Sequence, residues 1–300
     1  MCKVFGYSKQ AYYKQLHTAE NTMAKEDTVV GLIHQKRAVW KRGSGRNLHK
    51  SLEADMASLH IKMGRDKFFE LLRKKHLLIR PKRHSAKTTC SYHHFHKYPN
   101  LIQNVVPTRA DEVWVSDITY LWLKQQDKFC YLSIITDLYS RKIVGHCVHD
   151  DLSVKGCMDA LQQAIKNRQN NQPFTLTHHS DRGVQYCCHA YVRTLNKNKV
   201  NISMTQSGDP LENPVAERIN KTIKEEFTLD KQISFCNVAR AKTEIKKFIE
   251  FYNRQRPHRS VEWLTPNQAH LRTGELKRVW KTYYRKALQG GDLEKALAEE

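Results

Sequence analysis

The sequence lacks what would hold a chain in a membrane or suit it to an oxidising compartment. No stretch approaches the roughly 20 consecutive apolar residues of a spanning helix. The opening MCKVFGYSKQ has no apolar run of the kind a secretory signal carries. The eight cysteines, at positions 2, 90, 130, 147, 157, 187, 188 and 236, include no C-x-x-C pair. That argues against a disulfide framework and against a cysteine zinc site. Cys90 with His93, His94 and His96, and the run Cys187, Cys188, His189, also lack the two separated ligand pairs of a zinc finger. They read as a basic linker and a helix start. A cytoplasmic chain is expected.

Acidic residues are scarce as well: 30 Asp+Glu face 51 Lys+Arg, for a net charge of +21. The excess is uneven. Residues 1–110 hold 22 Lys+Arg against 7 Asp+Glu, a net of +15, which leaves +6 for the other 190 residues. A basic front joined to a nearly balanced remainder suggests a polyanion-binding module attached to something else. No helix pairs a basic face with a bulky Trp/Leu face, so nucleic acid is preferred to a membrane surface.

The basic front reads as helical. SKQAYYKQL (8–16) suits a short helix capped by Ser8, with Tyr12 and Tyr13 packing on the next element. A second helix carries Val29, Ile33 and Val39, and KRGSGR (41–46) breaks it. Helices are then expected over 51–60 and 65–76, separated by a turn containing Gly64. In the latter, Phe68, Leu71 and Leu72 form an apolar stripe and Arg65, Lys67, Arg73, Lys74 and Lys75 cover the rest. Helix, tight turn and basic helix is the pattern of a DNA-binding helix-turn-helix; a small bundle with a solvated basic face is the plainer alternative. Arg65, Lys67, Arg73 and Lys74 are the candidate phosphate contacts. Residues 81–108, with Pro81, Pro99 and Pro107, read as an extended basic linker.

At residue 112 the texture changes. VWVSDITYLWL (113–123), FCYLSIITDLY (129–139) and KIVGHCVHD (142–150) predict an antiparallel meander. A helix near 153–169, a strand at 174–180, a helix at 189–199, a strand at 201–206 and helices near 214–227 and 236–254 follow. The expected fold is α/β: a mixed five-stranded sheet with flanking helices, in the element order of the ribonuclease-H-like fold, over residues 109–272. Residues 1–80 form the helical region and 273–300 a helical tail.

Three acidic residues stand apart within this domain. Asp117 interrupts a strand whose neighbours suit a sheet, and a carboxylate there is costly unless something uses it. Asp181 ends a strand in HHSDRGVQY, where Gly183 permits a sharp turn. Glu217 lies at the start of a helix, after Asn213 as N-cap and Pro214 as first helical residue. Asp127 and Asp137 read as turn residues. Three carboxylates about 4 Å apart would repel by roughly 4 kcal/mol per pair at an effective dielectric of 20. Oxygen ligands of this kind suit Mg²⁺ or Mn²⁺, and two such ions can clamp an in-line phosphodiester displacement. At about 100° per residue, Lys221 and Lys224 fall within about 40° of Glu217 on its helix. Lys224 is placed to hold a DNA phosphate, and Lys221 divides that role with an ordinary Glu–Lys surface pair.

VWVSDITYLWL, HHSDRGVQY, SGDPLENPVAERINKTIKEEF and FYNRQRPHRSVEWLTPNQA together resemble the successive motifs of the insertion-sequence-three (IS-three) family transposases. The 35 residues between Asp181 and Glu217 match that family's D-D-(35)-E spacing, and Lys224, seven residues on, matches a basic position in it. The helical region and linker are similar to what precedes the core in the family's second reading frame. Pro214 departs from the Ala more usual before the V-A-E triplet.

The resemblance implies a retroviral-integrase-type enzyme with a metal pair at Asp117, Asp181 and Glu217. It would cleave and transfer strands at the element's terminal inverted repeats and in target DNA, acting as a homo-oligomer on bacterial nucleoid DNA. It also implies an upstream reading-frame product, fused by frameshifting, that a chain beginning at MCKVFGYSKQAYYK would lack. A DNA-binding accessory or regulatory subunit that needs that fusion for activity is the alternative.

Overall fold

The computed structural model describes residues 8–79, 94–168, 175–206, 212–228, 235–277 and 279. The N-terminal helices are α1 (Lys9–Val39), α2 (Gly45–Ser58) and α3 (Arg65–Lys74). Ser8 caps α1 as expected, its Oγ accepting from the Ala11 amide at 3.1 Å. The break expected after residue 16 is absent, and α1 is one continuous helix of 31 residues. Nothing between Leu16 and Val29 opposes it, since this stretch holds neither Gly nor Pro. Tyr12 and Tyr13 do not pack on a following element. They are 48% and 64% exposed and meet each other edge to face at 5.6 Å.

The buried stripes of these helices converge: Val29 and Ile33 of α1, Leu48, Leu52 and Met56 of α2, Phe68, Leu71 and Leu72 of α3. Each such aliphatic or aromatic side chain removed from water contributes about 1.5–3 kcal/mol. Val39, expected to join the stripe, is exposed, and Trp40 is buried in its place.

The second region is a five-stranded sheet in the order β3-β2-β1-β4-β5. Its strands are β1 (Val113–Leu123), β2 (Lys128–Asp137), β3 (Ile143–His149), β4 (Thr177–Ser180) and β5 (Asn201–Met204). The first three form the expected antiparallel meander, while β4 and β5 run parallel to β1. Helix α4 (Val154–Asn167) leads from β3 to β4. The one-turn α5 (Val184–Cys187) and α6 (His189–Lys197) lead to β5, and α7 (Pro214–Thr222), α8 (Val238–Gln255) and α9 (Pro266–His270) follow.

Helices cover both faces. Trp114, Ile135, Leu161, Tyr191 and Ile202 lie in the core under α4 and α6, and Leu121, Leu132, Ile219, Ile245 and Phe248 in the core under α7 and α8. At Gly145 a Cβ would lie 2.2 Å from the Ala160 carbonyl oxygen, so β3 and α4 approach this closely because position 145 has no side chain. Both edges of the sheet are covered. Asn253 of α8 bridges the N–H and C=O of Ile143 at 3.0 and 2.9 Å. On the other side the segment expected to be a linker lies along β5: the Met204 amide donates to the Pro99 carbonyl at 3.2 Å, and Phe95, Tyr98 and Ile102 pack on the domain. These contacts remove the templates that unpaired edges would offer to other chains. Residues 80–93 of the linker and most of the expected C-terminal tail lie outside the described residues.

Candidate active site

Strand periodicity sends alternate residues of β1 to opposite faces. Trp114 faces α4 and α6, whereas Val113 and Val115 pack with Ala216 of α7. Asp117 follows in the second series, toward α7. The parallel register of β1 and β4 pairs Val113 with Thr177 and Val115 with His179. Continued by two residues, it sets Asp181 level with Asp117, on chains about 4.8 Å apart. Chain topology therefore brings together two carboxylates that lie 64 positions apart in sequence.

Helix α7 supplies the third. Asn213 occupies its N-cap, but the side chain does not cap it. The amide instead donates from Nδ2 to the Ser116 carbonyl at 3.0 Å, fastening the helix start to β1 beside Asp117. One turn after Glu217, Asn220 donates from Nδ2 to Asp117 Oδ2 at 2.7 Å. Glu217 itself is exposed while Asp117 and Asp181 are half-buried, so the cluster opens to solvent on the α7 side.

The electrostatics link the three. Loss of water, then the charge of Asp181 and, more weakly, that of Glu217, push the Asp117 carboxyl up to about 7, against the hydrogen bonds from the Ile118 amide and Asn220. Lys224 stands on the same side: burial lowers its ammonium pKa while Asp117 pulls it back up. Lys221 points outward and pairs with Glu225 at 3.8 Å. Asp181 Oδ1 accepts from the Gly183 amide at 2.9 Å, which fixes its turn.

The donor set fits a hard divalent cation. A raised carboxyl lies between two others, and the side-chain oxygens of Asn213 and Asn220 beside it are buried with no hydrogen-bond donor. The three carboxylates are not drawn to ligand spacing by themselves. Among the described residues, the side chains whose ligand atoms all come within 4.8 Å of one another are His149, Asp150 and Asp151, at the exposed end of β3.

Other sequence expectations divide. Asp127 sits in an exposed turn with φ +47°. Asp137 is fully buried, and its carboxylate organises the β2–β3 turn by accepting from the Ser140 amide and hydroxyl at 2.7 and 2.6 Å. Cys187 is buried with Sγ 3.6 Å from Met204 Sδ, and Cys188 precedes α6 as the helix-start reading expects. On α3, Lys74 pairs with Glu26 at 2.7 Å and Arg65 with Asp66 at 2.9 Å. Lys67 and Arg73 are exposed and have no ion-pair partner among the described residues.

Sequence reading missed Asn213 as a cross-link, and it missed Asn220, although Asn220 shares the Glu217 face at i+3. It also missed the paired histidines before Asp181. His178 is held by Ser116 and Tyr191 at 2.7 and 3.0 Å and His179 by Ser203 at 2.8 Å, both neutral supports inside the sheet.

The integrase core domain family matches residues 107–210, and a second integrase core family matches residues 198–266. The 31 kDa protein of insertion element IS600 from Shigella sonnei is 31% identical over 268 residues, covering 89% of this chain and 96% of that protein. The transposase InsF of insertion sequence IS3fB from Escherichia coli is 30% identical over 169 residues, covering 56% of this chain and 57% of its own. Among solved structures, a chain of the simian T-cell lymphotropic virus intasome in complex with a PP2A regulatory subunit superposes with a TM-score of 0.50 at 11% identity. It covers 83% of this chain and 77% of that one, and shares the fold.

Fold and sequence relatives thus define the class, a DDE-type polynucleotidyl transferase with a ribonuclease-H-like integrase core. Within that class the chain belongs to the insertion-sequence transposases of the IS-three family. Among the described residues, no helix is long and apolar enough to cross a membrane.

Proposed function

We propose that Asp117, Asp181 and Glu217 are the catalytic carboxylates of this transposase, acting on the terminal inverted repeats of its element and on target DNA. The observation that carries the reading is Asp117: a carboxyl pushed up to about 7 by lost water and two acidic neighbours, and clamped to the helix that bears one of them. The three would hold two Mg²⁺ or Mn²⁺ ions, which when bound supply activation of the attacking oxygen and charge for the leaving one. The protein's own side chains do the positioning. Asn220 and Asn213 tie α7 to β1, so that the carboxylates from strand and helix keep one spacing. Lys224, half-buried beside Asp117, receives a DNA phosphate next to the reacting bond. Helix α3, through Lys67 and Arg73 with Arg65 and Lys74 at its rim, holds DNA away from the site. Lys221 contributes at the entrance of the site.

Residues 1–80 would serve as the DNA-binding region, 81–108 as its connection, 109–272 as the catalytic core and 273–300 as a tail. The working form would be a homo-oligomer on nucleoid DNA in the cytoplasm, joined by an upstream reading-frame product.

The test is cleavage and joining of labelled element ends with Mg²⁺, in an active form that includes the upstream product. Asp181→Asn keeps size and removes charge. Both steps should fall by more than the roughly 10²–10³-fold typical of one lost transition-state donor, with DNA affinity held. Near-normal cleavage by this variant would refute the assignment.

A further inference from the structure

Helix α7, which carries Glu217, runs on into a π-helical segment, Ile223–Thr228, which carries Lys224. Such segments are rare and recur at functional sites. This one presents Glu226, nine positions after Glu217, which in an α-helix is the opposite face. The acid is buried among charged and aromatic partners from two other parts of the chain.

From the end of α8 comes Arg256, whose Nε and Nη2 donate to the two Glu226 oxygens at 2.9 and 2.7 Å. From the end of α1 comes Trp40, whose indole N–H donates to the same carboxylate. The Arg42 amide donates to the Glu226 carbonyl at 3.0 Å. The guanidinium lies 5.7 Å from the centroids of both the Trp40 and Tyr252 rings. Its Nη1 reaches the ring nitrogens of His258 at 3.0 and 3.2 Å, and burial with the nearby arginine charge keeps that imidazole neutral. Gly43 lets the chain fold over the indole, since a Cβ there would lie 2.6 Å from the Trp40 ring.

The motif FYNRQRPHRS therefore has a place in the structure and no part in the chemistry proposed above. A buried ion pair gives no clear gain in stability over apolar residues of the same shape. What it does give is one geometry, because the guanidinium fork fits the carboxylate in one arrangement. Three parts of the chain meet at that fork: the N-terminal helices, the catalytic helix and the end of α8.

We propose that Glu226, Arg256 and Trp40 form a positioning device that fixes the Glu217–Lys224 helix against the N-terminal helices. It sets the register in which DNA gripped by those helices reaches the carboxylates. The proposal rests on the catalytic reading above for its consequence, but not for its geometry.

The test uses the full chain and two mild variants. Trp40→Phe keeps an aromatic ring under the guanidinium and removes the N–H donor. Arg256→Lys keeps the charge and removes the fork. Each should melt cooperatively and hold DNA as tightly as the unaltered chain. In each, amide hydrogen exchange across residues 214–228 should accelerate by about tenfold or more. Turnover on element ends should fall by about 10- to 100-fold in kcat with KM unchanged, the size expected of a small misplacement. Unchanged exchange across 214–228 in both variants, or a loss confined to KM, would overturn the proposal. The exchange measurement needs no activity, so failure of the form joined to the upstream product to cut DNA would sink the catalytic reading and leave this test standing.

Discussion

At the end of α3, Lys74 and the following Lys75 meet Glu26 and Asp27 of α1 at 2.7 and 3.0 Å, largely in solvent. In the sheet domain, Arg256 meets Glu226 at the same 2.7 Å with both side chains almost sealed from water. The pairs are chemically alike and energetically unlike. In water each ion is well solvated without its partner, so the exposed pairs add about 0–1 kcal/mol and leave their lysines available to another anion. In the interior neither ion can be left alone, so the buried pair acts as a fixed joint. The two lysines thus keep their charge within reach of solvent, while the charges of the buried pair are committed to internal geometry.

The sharpest way to break this comparison is to remove one partner from each pair. Arg256→Ala strands a buried carboxylate and should cost about 3–5 kcal/mol of stability. Lys74→Ala should cost about 0–1 kcal/mol. Denaturant unfolding of the full chain compares them directly, and similar losses would mean that burial does not distinguish the two.

Acid sharpens it next. Burial pushes His146 down to about 4 and His178 down to about 3. Unfolded, each imidazole takes a proton below about pH 6.5; folded, each stays neutral to the lower value. Stability should therefore be intact above about pH 6.5 and fall as pH drops toward 4, by about 1.4 kcal/mol per unit for each group. His178→Asn should flatten part of that slope in a melting series, and an unaltered slope would show that another group carries it.

The smallest effect belongs to the exposed face. Lys67→Ala and Arg73→Ala should each lower the log–log salt dependence of DNA binding by about 0.9 if each neutralises one phosphate. Lys74→Ala should lower it less, because Glu26 already competes for that ammonium. Equal slopes for all three would make the basic face of α3 a general counter-charge with no contacts of its own.

Much of the sheet domain was legible because its signals are local. The runs 113–123, 129–139 and 142–150 carry the β-branched and aromatic residues of strands, and the observed β1, β2 and β3 fall within two residues of them. The helix start at Pro214 was legible for the same reason. The helical front was read less well: a division expected after residue 16 is a continuous helix, and the tyrosines expected inside are outside. Helical propensity over 9–28 says that this stretch winds, but says nothing of what it packs against. At the site, acidity and spacing marked Asp117, Asp181 and Glu217. The residues that tie Asp117 and its strand to the Glu217 helix, Asn213, Asn220 and Ser116, carry no charge to draw notice. Asn213 stands at the cap position that its residue type suits, but its amide is taken by β1 instead.

The sequence by itself determined the elements, the basic front, the family motifs and which carboxylates were candidates, since all of these follow from composition and short-range spacing. Tertiary structure decided the rest. It set Asp117 level with Asp181 through a parallel register that no local pattern encodes. It spent Lys74 on Glu26 and left Lys67 exposed, although both lie on one helix with the same charge. It also joined Trp40, Glu226 and Arg256, up to 216 positions apart, into one buried contact. A buried charge must find its partner wherever the fold provides one, and the fold, which the neighbouring residues do not specify, fixes that choice.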